Sequence, residues 1–149
     1  MALLADTDAL REKLVTSARE ARRTAYAPYS GYAVGAAIWS EDGKLFTGVN
    51  VENASYGLSI CAERVAVFRA VSEGARRIQA VAVVTRDGAA PCGACRQVLA
   101  EFADEDTLVW CASDESAEIQ EYRLGDLLPG AFHLLPRQAS EDELILGGT

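Results

Sequence analysis

Three cysteines of this chain stand where they could hold a metal ion. Cys92 and Cys95 form the C-x-x-C pair of the segment PCGAC, and Cys61 opens the segment CAER earlier in the chain. Thiolates are good zinc ligands, and side chains at i and i+3 project from one side of a helix start. The pair alone fits a zinc site and a thiol–disulfide exchange site equally well, and the third cysteine favours zinc.

The fourth cysteine and the single histidine are weaker candidate ligands. Cys111 lies in the apolar segment VWCAS, where a cysteine usually packs as a small hydrophobic residue. His133 lies in a late loop with no spacing that relates it to the cysteines. If Cys111 did close a four-cysteine cage, the zinc would have only a structural role.

Glu63 is the candidate proton-transfer group. Three protein ligands leave one position on zinc for water, and a nearby carboxylate could exchange protons with that water. Residues two apart, as Cys61 and Glu63 are, point to different sides of a regular helix. The spacing is therefore also compatible with an ordinary glutamate that stabilises a helix N-terminus.

The three cysteines are predicted to lie at the starts of two helices. Residues 63–74 have a helical pattern that ends at Gly74, and a second helical stretch, 95–103, begins beside Cys95. Helix N-termini carry a partial positive charge, which favours thiolates. Two such helices that leave adjacent strands side by side would bring the three thiolates to one point.

The rest of the chain alternates between helix and strand patterns. Apolar residues at helical spacing over 8–26 predict an amphipathic helix with Asp8 as its N-cap and Pro28 beyond its end. Alternation over 32–52 around the turn segment SEDGK predicts a strand hairpin. Further strands are expected at 78–85, 107–113 and, as a weaker pattern, 117–123.

This order of elements predicts a layered α/β fold in which helices pack on a mixed sheet. At 149 residues we expect one domain over 1–149. The N-terminal segment MALLADTD contains too few consecutive apolar residues for a signal peptide or a membrane span. We therefore expect a cytoplasmic protein with no membrane partner.

The charge of the chain argues against nucleic acid as a partner. Its formal net charge is −8, from 22 acidic and 14 basic residues. Such a chain repels phosphate backbones unless it carries a local basic patch, and the basic doublets at 22–23 and 76–77 are short. The expected ligand is a small, roughly neutral molecule.

Several longer segments together resemble one known family, the small cytidine deaminases of the three-cysteine, homotetrameric type. The segments are YSGYAVGAAI at 29–38, GVNVENASYGLSICAERVAVFRAVSEG at 48–74, PCGACRQVLAEF at 91–102 and LLPGAF at 127–132. The resemblance ends near residue 132, because 133–149 differ from the usual ending of the family. It implies a three-layer fold with a mixed five-stranded sheet and helices on both faces.

The resemblance also implies a reaction: zinc-dependent hydrolysis of cytidine and 2'-deoxycytidine to uridine and 2'-deoxyuridine, with release of ammonia, in pyrimidine salvage. One Zn²⁺ per chain would be held by Cys61, Cys92 and Cys95, and Glu63 would carry the protons. Three thiolates leave the zinc site with a net negative charge. Arg64 matches a family position whose guanidinium is expected to offset that charge, although it could also be an ordinary surface arginine.

Five positions match the substrate contacts of the family. Asn50 and Glu52 resemble its ribose-binding pair, although both residue types are also common in turns. Tyr32 stands where the family usually places a phenylalanine against the pyrimidine, and Ala54 would supply a backbone contact. Phe132 resembles a phenylalanine that enters the active site of a neighbouring subunit, and core packing is its alternative role.

Three other functions share part of this pattern. A deaminase of a related aminopyrimidine nucleoside such as blasticidin S would have the same metal ligands. A polynucleotide-editing deaminase would share the zinc chemistry, but the acidic charge argues against it. A non-catalytic zinc module would use Cys111 as a fourth ligand.

Overall fold

A mixed five-stranded sheet forms the centre of the protein in a computed structural model that describes residues 6–134. The strands are β1 (Gly35–Ser40), β2 (Leu45–Val49), β3 (Ile78–Thr85), β4 (Ala103–Ser113) and β5 (Ile119–Arg123), in the spatial order β2-β1-β3-β4-β5. The helices are α1 (Thr7–Arg22), α2 (Ala62–Ser72), α3 (Gly93–Phe102) and α4 (Leu124–Leu127). The β3–β4 pair is parallel and the other neighbouring pairs are antiparallel. The expected α/β fold is confirmed.

Side chains alternate across the sheet and build one hydrophobic core on each face. On one face, Ala82 and the fully buried Trp110 pack with Leu14 of α1. On the other face, Val83 packs with Val67 of α2 in a cluster that also includes residues of α3 and α4. Helices therefore cover both faces, as the three-layer prediction requires.

Two glycines allow helices to approach the sheet at backbone distance. A Cβ atom on Gly48 of β2 would lie only 2.4 Å from the backbone nitrogen of Ala66 in α2. A Cβ atom on Gly35 of β1 would lie 2.0 Å from the carbonyl oxygen of Ala18 in α1. The close contact at Gly48 fixes α2, and with it Cys61 at the helix start, against the sheet.

The predicted limits of the first helix were wrong at both ends. The N-cap is Asp6 and not Asp8, because the Asp6 carboxylate accepts a hydrogen bond from the Ala9 amide over 3.0 Å. The helix ends at Arg22, before the expected residue 26, because the Tyr26 amide donates to the Asn50 carbonyl over 3.0 Å. Pairing with a distant segment therefore replaces the last helical turn.

The predicted hairpin is confirmed, but its strands are shorter than 32–52. Beyond the ends of β1 and β2, the Asn50 side chain replaces strand pairing: its Oδ1 accepts from the Val34 amide over 2.9 Å and its Nδ2 donates to the Tyr32 carbonyl over 2.7 Å. The other strands lie near their expected positions, although β4 begins earlier than residue 107. Helix α4 was not predicted.

The predicted C-terminal tail, 133–149, lies outside the described residues from 135 onwards. Within residues 6–134, no helix has the length and apolar character needed to span a membrane.

Candidate active site

The Sγ atoms of Cys61, Cys92 and Cys95 lie together where two helices begin. The Cys92 Sγ is 3.8 Å from that of Cys61 and 3.5 Å from that of Cys95, and all three lie within 4.8 Å of one another. Cys61 is the N-cap of α2, Cys92 is the N-cap of α3, and neither makes a side-chain capping hydrogen bond. The convergence expected from the two helix starts is confirmed.

The spacing and chemistry of this cluster fit a zinc ion. Tetrahedral zinc with Zn–S bonds of about 2.3 Å places two ligand sulfurs about 3.8 Å apart, close to the observed separations. The guanidinium of Arg64 lies beside the cluster, and its Nη2 donates to the Cys61 Sγ over 3.3 Å. Its Nε is buried without a hydrogen-bond partner among residues 6–134. A negatively charged set of thiolates would balance this cation.

The neighbours of Cys61 favour its thiolate form. Hydrogen bonds from the Cys95 thiol, the Arg64 guanidinium and the Cys92 thiol lower the pKa of Cys61 to about 5, against the opposing effect of burial. The pKa of Cys95 is raised, because its proton is shared with Cys61 and its side chain is buried. The Cys61 thiol is therefore favoured in the thiolate form, which is the form that binds metal.

Cys111 and His133 lie away from the cluster. Cys111 is 1% exposed in β4 and belongs to the core between the sheet and α2. Burial raises the pKa of its thiol to about 12, so it stays protonated. His133 lines a separate cavity of about 190 Å³ together with Asp104 and Glu105. Within residues 6–134, the metal-ligand cluster contains three cysteines only, and the predicted packing role of Cys111 is confirmed.

Glu63 lies in the first turn of α2 and is buried beside the thiols. It is 4% exposed, and its side chain lines a cavity together with Cys61 and Cys92. Burial raises the pKa of Glu63, and the nearby Cys61 thiolate raises it further. Burial and the nearby negative charge thus favour the protonated form of Glu63, so this carboxyl group is suited to donate a proton as well as to accept one, which is the requirement for general acid–base catalysis.

The cavity beside Glu63 has a volume of about 320 Å³ and joins the thiols to the polar side chains of the loop after β2. Asn50 and Glu52 both line it. The Glu52 Oε1 accepts hydrogen bonds from the amides of Tyr29 and Ser30, each over 3.0 Å, and its Oε2 accepts one from the Ser30 hydroxyl. These donors lower the pKa of Glu52, so the cavity carries a fixed negative charge at this end.

Tyr32 lines the same cavity, and its hydroxyl donates to the Asp87 Oδ1 over 2.5 Å. Two other predicted contact residues do not line it. Ala54 lies in an exposed bend after Glu52. Phe132 is 70% exposed, and its carbonyl oxygen accepts a hydrogen bond from the Gln97 amide group over 2.9 Å. Within one chain, the alternative role of Phe132 in core packing is therefore wrong.

Residues 9–111 match the model of a family described as the cytidine and deoxycytidylate deaminase zinc-binding region. The chain belongs to this deaminase family. The matched range contains all three clustered cysteines and Glu63, and the three cysteines of this deaminase are positioned to bind the zinc ion.

Curated relatives of this deaminase cover most of the chain. The cytidine deaminase of Halalkalibacterium halodurans is 51% identical over 124 residues, which are 82% of this chain and 93% of the relative. The cytidine deaminase of Mycobacterium tuberculosis is 46% identical over 126 residues, which are 82% of this chain and 90% of the relative.

Solved structures of similar proteins share the fold of this deaminase. The crystal structure of the cytidine deaminase from Burkholderia pseudomallei has a TM-score of 0.78 and 47% identity, and the match covers 81% of this chain and 98% of that chain. The cytidine deaminase from Mycobacterium tuberculosis has a TM-score of 0.73 and 45% identity, over 87% of this chain and all of that chain.

Sequence reasoning missed several residues that shape the cavity of this deaminase. Ser30 holds Glu52, and Thr85 lines the cavity at the end of β3 and contacts Asp87. The signal that could have identified Thr85 and Asp87 is the segment TRDG, a run of polar residues and glycine that begins at the last residue of a buried strand. Functional side chains often lie at such strand ends.

Proposed function

We propose that this protein catalyses the zinc-dependent hydrolytic deamination of cytidine and 2'-deoxycytidine, giving uridine and 2'-deoxyuridine in pyrimidine salvage. The observation that carries the proposal is the buried carboxyl group of Glu63 in one cavity with the thiols of Cys61 and Cys92. The cavity has room for a small molecule, and the family match supports a nucleoside as that molecule.

In this reaction, the oxygen of a water molecule replaces the 4-amino group at C4 of the pyrimidine, and ammonia leaves. Cys61, Cys92 and Cys95 would hold the zinc ion, and bound zinc would activate that water as a Lewis acid. Glu63 would accept a proton from the water and deliver it to N3 of the ring, and would then accept the second proton from the new C4 hydroxyl and deliver it to the departing amine, leaving a C4 carbonyl and ammonia. The raised pKa of Glu63 supports a carboxyl group that performs both transfers.

Arg64 would offset the negative charge that three thiolates leave on the site. Its hydrogen bond to the Cys61 Sγ supports this role. The buried Nε, which lacks a hydrogen-bond partner among residues 6–134, remains available to a second thiolate. Partners of metal ligands typically orient the ligand and tune its basicity.

The sugar and base would be bound at the other end of the cavity. We propose that Asn50 and Glu52 contact the ribose hydroxyls, because both line the cavity and the Glu52 carboxylate is held by three donors. Tyr32 would contact the pyrimidine ring through its aromatic face. Ala54 would contribute a backbone contact to the substrate from its exposed bend.

We also propose that the enzyme is a cytoplasmic homotetramer of single-domain chains, without nucleic-acid or membrane partners. Large apolar side chains are exposed beside the cavity-lining loops, with Tyr56 at 68% and Leu58 at 72% exposure. Exposed apolar residues of this size favour a protein interface. Phe132, 70% exposed, would complete the site of a neighbouring subunit. Sedimentation as a monomer would contradict the assembly.

The test of the proposed reaction is the loss of cytidine absorbance, measured for the zinc-loaded wild type and Glu63→Gln. We expect turnover by the wild type and a decrease in kcat of roughly 10²- to 10⁴-fold in Glu63→Gln, with zinc content and thermal stability retained. Glu73→Gln is the matched control, because Glu73 is the exposed C-cap residue directly after α2 and forms an ion pair with Arg69.

Other aminopyrimidines, including blasticidin S, are tested in parallel as alternative substrates. Faster turnover of one of these than of cytidine would assign the site to that substrate. An absence of turnover with every substrate would favour a non-catalytic zinc module.

A further inference from the structure

Tyr32 and Asp87 join two chain segments that both line the candidate cavity. Tyr32 belongs to segment 27–34, between α1 and β1, and Asp87 belongs to loop 86–91, between β3 and Cys92. The Tyr32 hydroxyl donates to the Asp87 Oδ1 over 2.5 Å. Among the hydrogen bonds of residues 6–134, it is the only one that connects these two segments. The bond is charge-assisted, which makes it short and strong.

The position of Asp87 is itself fixed from the protein interior. The Thr85 side chain is at the buried end of β3, and its hydroxyl contacts the same Asp87 Oδ1 over 3.2 Å. The Thr85 Oγ1 also accepts hydrogen bonds from the amides of Gly88 and Ala89, over 2.7 Å and 3.1 Å. Gly88 has φ +77°, a conformation that favours glycine and closes this tight turn. Asp87 is therefore a pre-positioned acceptor.

The aromatic ring of Tyr32 is held at a second point. The guanidinium of Arg86 lies over the ring, 5.7 Å from its centroid, within cation–π range. Rotation of the ring away from the cavity would break this contact as well as the hydrogen bond to Asp87. The two consecutive residues thus hold both the hydroxyl end and the aromatic part of the Tyr32 side chain.

We propose that Asp87 is a positioning residue that holds the Tyr32 ring as a fixed wall for the pyrimidine ring of the substrate. The inference rests on the proposed function, because it needs a pyrimidine in the cavity. A ring that is already ordered pays no entropy of immobilisation when substrate binds. The contact therefore acts on substrate binding, while proton transfer by Glu63 is independent of it.

The test compares steady-state kinetics with cytidine for the zinc-loaded wild type, Tyr32→Phe, Asp87→Ala and the double variant. Tyr32→Phe keeps the ring and removes the donor. We expect each single variant to raise KM about three- to tenfold, the range of one hydrogen bond, with kcat unchanged. We expect the double variant to have the same KM as the single variants, because both remove one interaction.

Two further variants separate positioning from a general loss of charge. Asp87→Asn keeps an acceptor oxygen but removes the charge, and is expected to raise KM by less than Asp87→Ala does. Asp106→Ala removes another exposed aspartate, which pairs with Arg123 at the far edge of the sheet, and is expected to leave KM unchanged. Unchanged KM in Tyr32→Phe and Asp87→Ala, additive effects of the two, or a decrease in kcat alone would overturn the proposal.

A second measurement needs no substrate. The free energy of unfolding of the same four proteins gives a double-mutant cycle for the Tyr32–Asp87 contact, and we expect non-additive effects. Additive effects on unfolding would overturn the proposal even in an active enzyme. An inactive wild type would overturn the proposed function and this positioning role with it, whatever the unfolding cycle gives.

Discussion

The guanidinium of Arg64 donates a hydrogen bond to the Cys61 Sγ from within the same first turn of α2, over 3.3 Å. One helical turn thus carries a metal ligand, the proton-transfer candidate Glu63 and a cation that stabilises the ligand as a thiolate. No histidine is needed to limit the negative charge of the site, because the cation is built into the same motif.

Arg64→Ala should lower kcat/KM for cytidine about 10- to 100-fold while one zinc ion per chain is retained, because partners of metal ligands act on their basicity. Kinetics and zinc content by mass spectrometry measure the two effects. Arg69→Ala is the matched control, since Arg69 is exposed on the same helix and contacts Thr47 and Glu73. Equal activity of the two variants would contradict a role of Arg64 in tuning the thiolates.

Cys95→Ala should lose zinc, whereas Cys111→Ala should keep one zinc ion per chain. Both side chains are buried, but only Cys95 belongs to the sulfur cluster. Because metal binding is coupled to folding, we also expect a chelator to lower the melting temperature of the wild type and of Cys111→Ala, and not that of Cys95→Ala. Loss of zinc from Cys111→Ala would contradict the three-ligand site.

Gly48→Ala should lower the free energy of unfolding by at least about 2 kcal/mol, because the new methyl group would overlap the backbone of α2. Urea denaturation at a fixed protein and zinc concentration measures the change. Gly57→Ala is the control, since a Cβ atom there would have no heavy atom within 4 Å. Similar stabilities of the two variants would mean that α2 can move away from the sheet freely.

The contribution of the Tyr32–Asp87 hydrogen bond to stability should depend on pH at both extremes. The hydrogen bond from Tyr32 lowers the pKa of Asp87 below 3.8, so this contribution is present above that value and is lost as the pH falls through the folded pKa. Burial, and then the bond to Asp87, raises the pKa of Tyr32 above 10.0, so the contribution is lost again as the pH rises through the folded value.

The measurement is the difference in free energy of unfolding between the wild type and Tyr32→Phe. We expect a constant difference from about pH 5 to about pH 9, and a smaller one outside that range. A difference that does not change with pH would mean that the hydroxyl has no ionised partner.

The members of the metal cluster could be predicted from the sequence because each lies at a helix start with a clear local pattern, although their convergence depends on how the two helices pack. Cys92 and Cys95 share one helix start by their spacing, and Cys61 begins a second helix of clear pattern. The burial of Glu63 beside the thiols could not be predicted. Cys61 and Glu63 are two residues apart, and side chains at this spacing face different directions on a regular helix. This burial depends on how α2 packs against β2 at Gly48.

The errors and omissions involve contacts between segments that are distant in the chain. The end of α1 was placed too late because Tyr26 pairs with Asn50, a partner that helical periodicity does not report. The predicted hairpin is too long because, beyond a last backbone hydrogen bond from the Asn50 amide to the Val34 carbonyl, the Asn50 side chain takes the place of strand pairing. The link between Tyr32 and Asp87 was missed for the same reason.

Cys61 and Cys92 occupy positions where helices usually place a capping aspartate, asparagine, serine or threonine, and neither makes that hydrogen bond. The first turns of α2 and α3 therefore depend for their stability on a metal ion that binds the sulfur atoms. When a cell is short of zinc, we expect newly made chains to form the central sheet completely, while the first turns of α2 and α3 beside the active site are frayed. Zinc supply would then set not only the activity of each molecule but also how many molecules survive proteolysis.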